Sequence, residues 1–164
     1  MRRSTKIVLA GGCGAGKTTF ASAVSEIPPL TAENTDFGRI SLDTELVLYL
    51  FGTPSRFWFT WDDISGGAIG AVVLVDTRRL ADCFAAIDYF EHRGLPFVVA
   101  LNHFDGHRGR TAEQVRQALR LGPLVPVLDC DARDRESVRD TLIDLVRHAM
   151  RCQGAFQPVG ALSD

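Results

Sequence analysis

Lysine, paired cysteines and long apolar runs are all scarce in this chain, and each shortage excludes something. Of 18 basic residues only Lys6 and Lys17 are lysines. Arginine does the rest, so a retained lysine draws attention to its position. The 20 acidic residues leave a net charge of -2. That argues against non-specific nucleic-acid binding, which runs on phosphate neutralisation. The four cysteines, Cys13, Cys83, Cys130 and Cys152, lie far apart with no Cys-x-x-Cys pair. A secreted disulfide scaffold would be denser and a structural zinc site would be paired, so free thiols in a reducing cytosol are expected. No apolar run approaches the length that spans a bilayer. The run behind the basic start, Ile7 to Ala10, is too short for a signal peptide. Position 2 is not Gly, and no prenylation box ends at Asp164. The expectation is a cytoplasmic protein with no direct membrane anchor, recruited to a membrane only through a partner. Internal repeats and low-complexity blocks are also missing.

What remains is enough for one core. At 164 residues and 46% hydrophobic, the chain fits a single domain, expected over residues 1–153, with a loose tail over 154–164. Short apolar strands alternate with amphipathic helices. Strands are expected at 6–10, 38–42, 45–51, 69–75, 96–101 and 124–128. The second and third form a hairpin across Asp43-Thr44, and residues 27–36 read as loop. Helices are expected at 16–25 and 57–64, from Leu80 to about Phe90, at 111–120 behind the capping box Thr111-Ala112-Glu113-Gln114, and along Val138, Leu142, Leu145 and Ala149. Such alternation implies an α/β fold with a mainly parallel sheet and helices on both faces.

The strongest motif is Gly11-Gly12-Cys13-Gly14-Ala15-Gly16-Lys17-Thr18, which satisfies G-x-x-x-x-G-K-[ST] between an expected strand and an expected helix. Glycines let the backbone wrap and aim its N–H groups at phosphate oxygens, and the helix N-terminus adds its positive end. Lys17 would neutralise the β/γ-phosphates and the Thr18 hydroxyl would ligate Mg²⁺. This reads as a nucleoside triphosphate site, with Gly12, Cys13, Gly14, Ala15 and Gly16 as its cradle and Lys17 and Thr18 as its catalytic side chains. Two further strand ends carry polar residues: Asn102-His103-Phe104-Asp105 and Asp129-Cys130-Asp131-Ala132-Arg133. Ligands bind outside the carboxyl ends of parallel strands, so both should face the same crevice.

Here the chain resembles Ras-like small GTPases, whose guanine motif is N-K-x-D followed by S-A-K. The resemblance implies a P-loop Ras-like domain, a mainly parallel six-stranded sheet with one antiparallel edge strand. It also implies GTP, GDP and Mg²⁺ as ligands. By it, Asp105 accepts from the guanine N1–H and 2-amino groups, Asn102 braces the loops, and the Ala132 N–H meets O6. It extends the nucleotide contacts to Thr19, His103, Asp131 and Arg133, and adds Thr35 as a second Mg²⁺ ligand. Adenine lacks those donors and would leave a buried carboxylate unpaired. The chain departs from the pattern at His103 and Arg133, where lysine is usual. An imidazole, or Phe104, could stack on the base instead.

Asp36-Phe37-Gly38-Arg39-Ile40, Leu50-Phe51-Gly52-Thr53-Pro54, Arg56-Phe57-Trp58-Phe59 and Val75-Asp76-Thr77-Arg78-Arg79-Leu80 look like the MglA-like GTPases of actinomycete conservons. That branch implies a signalling switch working with a sensor-kinase-like protein and a roadblock/LC7-type partner. Two pieces fall short of it. Thr53-Pro54 runs straight to Ser55-Arg56 without the Gly-Gln pair whose Gln orients the attacking water, and the segment ahead of Asp36 is short. Gly52 stands where Ras-like proteins have an Asp. Slow hydrolysis is therefore expected. A non-hydrolysing scaffold stays open, and a small P-loop kinase is the third reading. The aromatics Phe57, Trp58, Phe59 and Trp61 divide between core and partner surface. His92 and His148 read as surface or helix-end residues, and Arg39, Arg56, Arg78 and Arg79 as structural or solvated rather than catalytic.

Overall fold

The computed structural model describes residues 3–12, 14–26, 30–32, 35–41, 46–52, 66–103 and 111–156. In chain order the elements are β1 (Arg3–Gly11), α1 (Lys17–Val24), β2 (Leu30–Ala32), β3 (Thr35–Ser41), β4 (Leu46–Gly52) and β5 (Ala68–Val75). A 3₁₀ turn (Leu80–Cys83) follows, then α2 (Phe84–Arg93), β6 (Phe97–Asn102), α3 (Ala112–Ala118), β7 (Val127–Cys130) and α4 (Arg135–Phe156). The strands form one sheet in the order β2-β3-β4-β1-β5-β6-β7. β1 pairs in parallel with β4 and β5, and β6 in parallel with β5 and β7. β3 runs antiparallel to β4. The expected mainly parallel six-stranded sheet with one antiparallel strand is therefore present.

One correction concerns its edge. Residues 30–32 were expected in a loop but form β2, a seventh strand that pairs Leu30 with Phe37 and Ala32 with Thr35. The antiparallel β3 is thus covered and is not the edge. A three-residue strand is too brief for hydrophobic alternation to reveal. A second correction concerns β7, expected at 124–128 and found at Val127–Cys130, starting three residues later. Pro123 and Pro126 lack the N–H that a strand ladder needs, so pairing starts only at the Pro126 carbonyl, which accepts from the Val99 N–H, and Leu124 is left 84% exposed.

Parallel strands covered on both faces must be apolar on both, which explains the unbroken runs of β5 and β6. Side chains alternate across the sheet. Ile7, Leu9, Val72, Leu74 and Val98 meet Phe20 and Val24 of α1 and Val138, Leu142 and Leu145 of α4. On the other face Val8, Val73, Val75, Val99 and Leu101 meet Ile87 and Phe90 of α2 and Val115 of α3. The Thr111 capping box forms as read: its side chain accepts from the Gln114 N–H while Gln114 accepts from the Thr111 N–H. Gly94, at φ 68°, closes α2 in the left-handed region. The expected helix at 57–64 and its aromatics lie outside the described residues.

Leu142 is fully buried and Leu124 almost fully exposed. Leu142→Ala should cost about 2–5 kcal/mol through the lost transfer energy and the cavity it leaves. Leu124→Ala should change stability by no more than about 0.5 kcal/mol. Urea unfolding with unchanged m-values checks both.

Candidate functional site

The site lies at the carboxyl ends of β1, β6 and β7, where three loops converge. After β1 the backbone turns through Gly14 at φ 78° and Gly16 at φ 106°, both in the region that favours glycine. A Cβ on Gly14 would have no atom within 4 Å, so that side of the loop is open. A Cβ on Gly16 would fall 2.5 Å from Asn102 Nδ2, and one on Gly12 would fall 2.4 Å from Asp82 Cβ. The loop is thus pinned from behind and open in front. The Ala15 N–H donates to the Gly12 carbonyl at 3.1 Å, and the Phe20 N–H donates to the Gly16 carbonyl at 2.8 Å, starting α1. Lys17 reaches back to donate to the Gly11 carbonyl at 3.2 Å. Thr18 and Thr19 are exposed in the first turn of α1. Cys13 lies outside the described residues.

Asn102 ends β6 and is buried. Its Nδ2 donates to the Ala15 carbonyl at 2.9 Å, and its Oδ1 accepts from the Ala132 N–H at 3.1 Å. One side chain therefore joins the phosphate-type loop to the loop after β7, the bracing role implied for it. The Ala132 N–H, implied as a partner of guanine O6, is here donated to Asn102. Asp131 accepts from the Arg133 N–H at 3.0 Å and from its Nε at 3.2 Å, and these bonds hold its carboxyl below the usual range. Asp131 in turn donates its N–H to Ser137 Oγ at 2.9 Å, which ties the loop to α4.

His103 follows directly. Its Nε2 is 2.7 Å from Asp129 Oδ1, its N–H donates to the Cys130 carbonyl, and its Nδ1 is buried with no hydrogen-bond partner among the described residues. A buried polar atom without a partner is uncommon in a finished structure, and here it stands beside the bracing residue. Asp105 and Phe104 lie outside the described residues. Thr35 opens β3 opposite Ala32. Gly52, at the carboxyl end of β4, pairs with Leu9 and brings no carboxylate. Among the described residues no cluster of three or more His, Cys, Asp or Glu could hold a metal.

Sequence reading missed the wall behind the loop. Asp76, at the end of β5, is gripped by Arg78, with Nε 2.9 Å from Oδ1 and the second pair at 3.0 Å. The guanidinium holds the buried carboxyl below its ordinary value. Arg79 pairs with Asp82 at 3.0 Å. Burial and then the Asp82 charge push the Cys83 thiol up to about 11, which leaves it unreactive behind Gly12. Both arginines are thus engaged locally, in keeping with a structural reading. Arg39 sits inside β3, its N–H donating to Ser25 Oγ and its carbonyl accepting from Glu26. Alternating charge in Asp76-Thr77-Arg78-Arg79-Leu80-Ala81-Asp82 was the available signal. His148, read as a surface or helix-end residue, is instead 8% exposed on the inner side of α4.

A glycine loop on a first parallel strand, an asparagine brace and a polar loop after the last strand define a nucleotide-binding domain with the small-GTPase fold. The solved structures agree on that fold. The Arl6 BBS3 small GTPase of Trypanosoma brucei, bound to GppNp, aligns with a TM-score of 0.72 at 17% identity, covering 91% of this chain and 99% of that one. The cytosolic domain of the T. maritima FeoB iron transporter, in a GDP form, aligns at 0.70 and 14% identity, covering 91% of this chain and 64% of that one. The FeoB G domain alone aligns at 0.62 and 14%, covering 92% and 99%. The chain belongs to the family described as "conserved hypothetical ATP binding protein", which it matches over residues 31–152. That match begins beyond the glycine loop, so loop and family are independent pointers to a nucleotide. No curated protein matches the chain. No helix among the described residues is long and apolar enough to cross a membrane.

Asn102→Ala removes both bracing bonds and strands a buried carbonyl and a buried N–H. The expected loss is about 2–4 kcal/mol of stability, a partial sum of two such penalties. Denaturant unfolding of nucleotide-free protein measures it.

Proposed function

We propose that the protein is a guanine-nucleotide-binding molecular switch of the MglA-like kind that hydrolyses GTP to GDP slowly. Asn102 carries the reading. It opens the Asn102-His103-Phe104-Asp105 segment and physically couples the phosphate loop to the Ala132 loop, so a base and a phosphate chain would be sensed by one connected unit. GTPase neighbours solved with GppNp and with GDP support the same class of ligand. Gly14, Gly16 and the start of α1 would cradle the phosphates, Lys17 would give up the Gly11 carbonyl for the β-phosphate, and Thr18 would hold Mg²⁺. Asp105 would take the guanine N1–H and 2-amino group. His103, held by Asp129, would replace the usual lysine against the base. Slow turnover follows from the missing water-orienting Gln after Pro54 and from Cys13, a side chain where Ras-like proteins usually have Gly. A roadblock/LC7-type protein and a sensor-kinase-like protein are the partners this reading assigns.

The non-hydrolysing scaffold is the second reading, favoured by the run Thr53-Pro54-Ser55-Arg56, which lacks the Gly-Gln pair. Single-turnover hydrolysis with and without a roadblock-type partner separates the two. The family description also makes ATP the competing nucleotide.

Calorimetry with GDP, GTP, ADP and ATP tests the base. We expect guanine nucleotides to bind far more tightly, Lys17→Ala to abolish binding, and Asp105→Asn to shift preference toward xanthine nucleotides. Equal affinity for ADP and GDP would defeat the guanine assignment while leaving the phosphate site standing.

A further inference from the structure

Asp82 stands against the back of the glycine loop. A Cβ placed on Gly12 would fall 2.4 Å from Asp82 Cβ and 2.9 Å from its Oδ2. The thickness of a backbone therefore separates this carboxylate from the open front of the loop. Its partner is Arg79, whose Nε lies 3.0 Å from the same Oδ2. The two face each other across the turn Leu80–Cys83, and the Asp82 N–H donates to the Arg79 carbonyl at 3.2 Å. Asp76, another acid of this wall, is taken up by Arg78. Cys83 ties the turn to the loop: burial and the Asp82 charge raise its thiol, while the Gly12 N–H and the Lys17 charge oppose them. Gly12, Lys17 and Asp82 thus all lie within electrostatic reach of one buried sulfur.

A carboxylate is an unfavourable neighbour for a phosphate site. Like charges repel through protein more strongly than through the same distance of water. An asparagine would fill the same space without that cost. What the acid gains by its charge is Arg79, and the ion pair holds the Asp82 side chain against Gly12 rather than out in water.

We propose that Arg79 and Asp82 are positioning residues for the phosphate loop: Asp82 seats Gly12, and Arg79 cancels the charge that this seat brings close to the phosphates of a bound nucleotide. The inference rests on the phosphate site of the proposed function and holds for either base. With Arg79 in place the pair is neutral. Without it, the carboxylate repels the incoming phosphates and competes with them for Lys17.

The test compares wild type, Arg79→Gln, and Arg79→Gln combined with Asp82→Asn. Each is titrated with GDP, GppNp, ADP and AppNp in a calorimeter, at low and at high salt. Arg79→Gln should weaken the preferred nucleotide by about fivefold or more at low salt, and the triphosphate analogue more than the diphosphate. High salt should shrink the loss, because part of the Asp82 side chain is in water. Adding Asp82→Asn should restore wild-type affinity, since it removes the stranded charge and keeps the shape. Arg79 is exposed and Asp82 partly so, so both variants are expected to fold, which circular dichroism checks. Unchanged affinity in Arg79→Gln would overturn the proposal and leave the nucleotide reading intact. So would a loss that salt does not alter and Asp82→Asn does not repair, which would describe packing alone. A wild type that binds none of the four nucleotides would defeat the phosphate site, and this inference with it.

Discussion

A single amide side chain holds the two halves of the site together. Asn102 reaches 87 residues back along the chain to Ala15 and 30 residues forward to Ala132. It donates in one direction and accepts in the other, using both functions of a carboxamide. An aspartate there could not donate, and a leucine could do neither. Gly16 must be glycine for a related reason: its missing Cβ is the space that Asn102 Nδ2 occupies. The brace therefore dictates a residue on another loop. It works only because β6 is buried along its whole length, so its last residue arrives at a fixed height among the loop ends.

The sheet supplies that height. β1, β5 and β6 are neighbours and parallel, so their carboxyl ends face one way. Two apolar layers clamp them, α1 and α4 on one side and α2 and α3 on the other. This much was legible in the sequence, because continuous apolar runs and helical spacing are strong periodic signals. The glycine loop was legible too, since phosphate wrapping leaves few choices of residue. Asn102 could be read as a brace only through its resemblance to a family pattern, and the geometry supplies the physical reason.

Other features were hidden because their causes are not local. β2 exists because β3 offers it an edge, and three residues have no period of their own. β7 starts late because prolines 123 and 126 cannot donate to a ladder. His148 looks like a helix-end residue, yet α4 runs on to Phe156 and turns that ring inward. Asp82 presses on Gly12 from 70 residues away in sequence, through a 3₁₀ turn that replaces the first turn of the helix expected from Leu80. In each case the deciding partner is distant in sequence, and single-chain patterns carry no record of it.

Phosphate binding and base choice rest on different kinds of chemistry. The cradle is built from backbone N–H groups and a helix start, which any nucleoside triphosphate satisfies equally. Any discrimination between bases has to come from side chains, and the loop after β7, which Asn102 ties to the cradle, carries several. The described residues at these strand ends are held by their own bonds: Asp131 is closed on Arg133 and anchored to Ser137, and His103 is paired with Asp129. Beside them the Nδ1 of His103 is buried and finds no hydrogen-bond partner among the described residues.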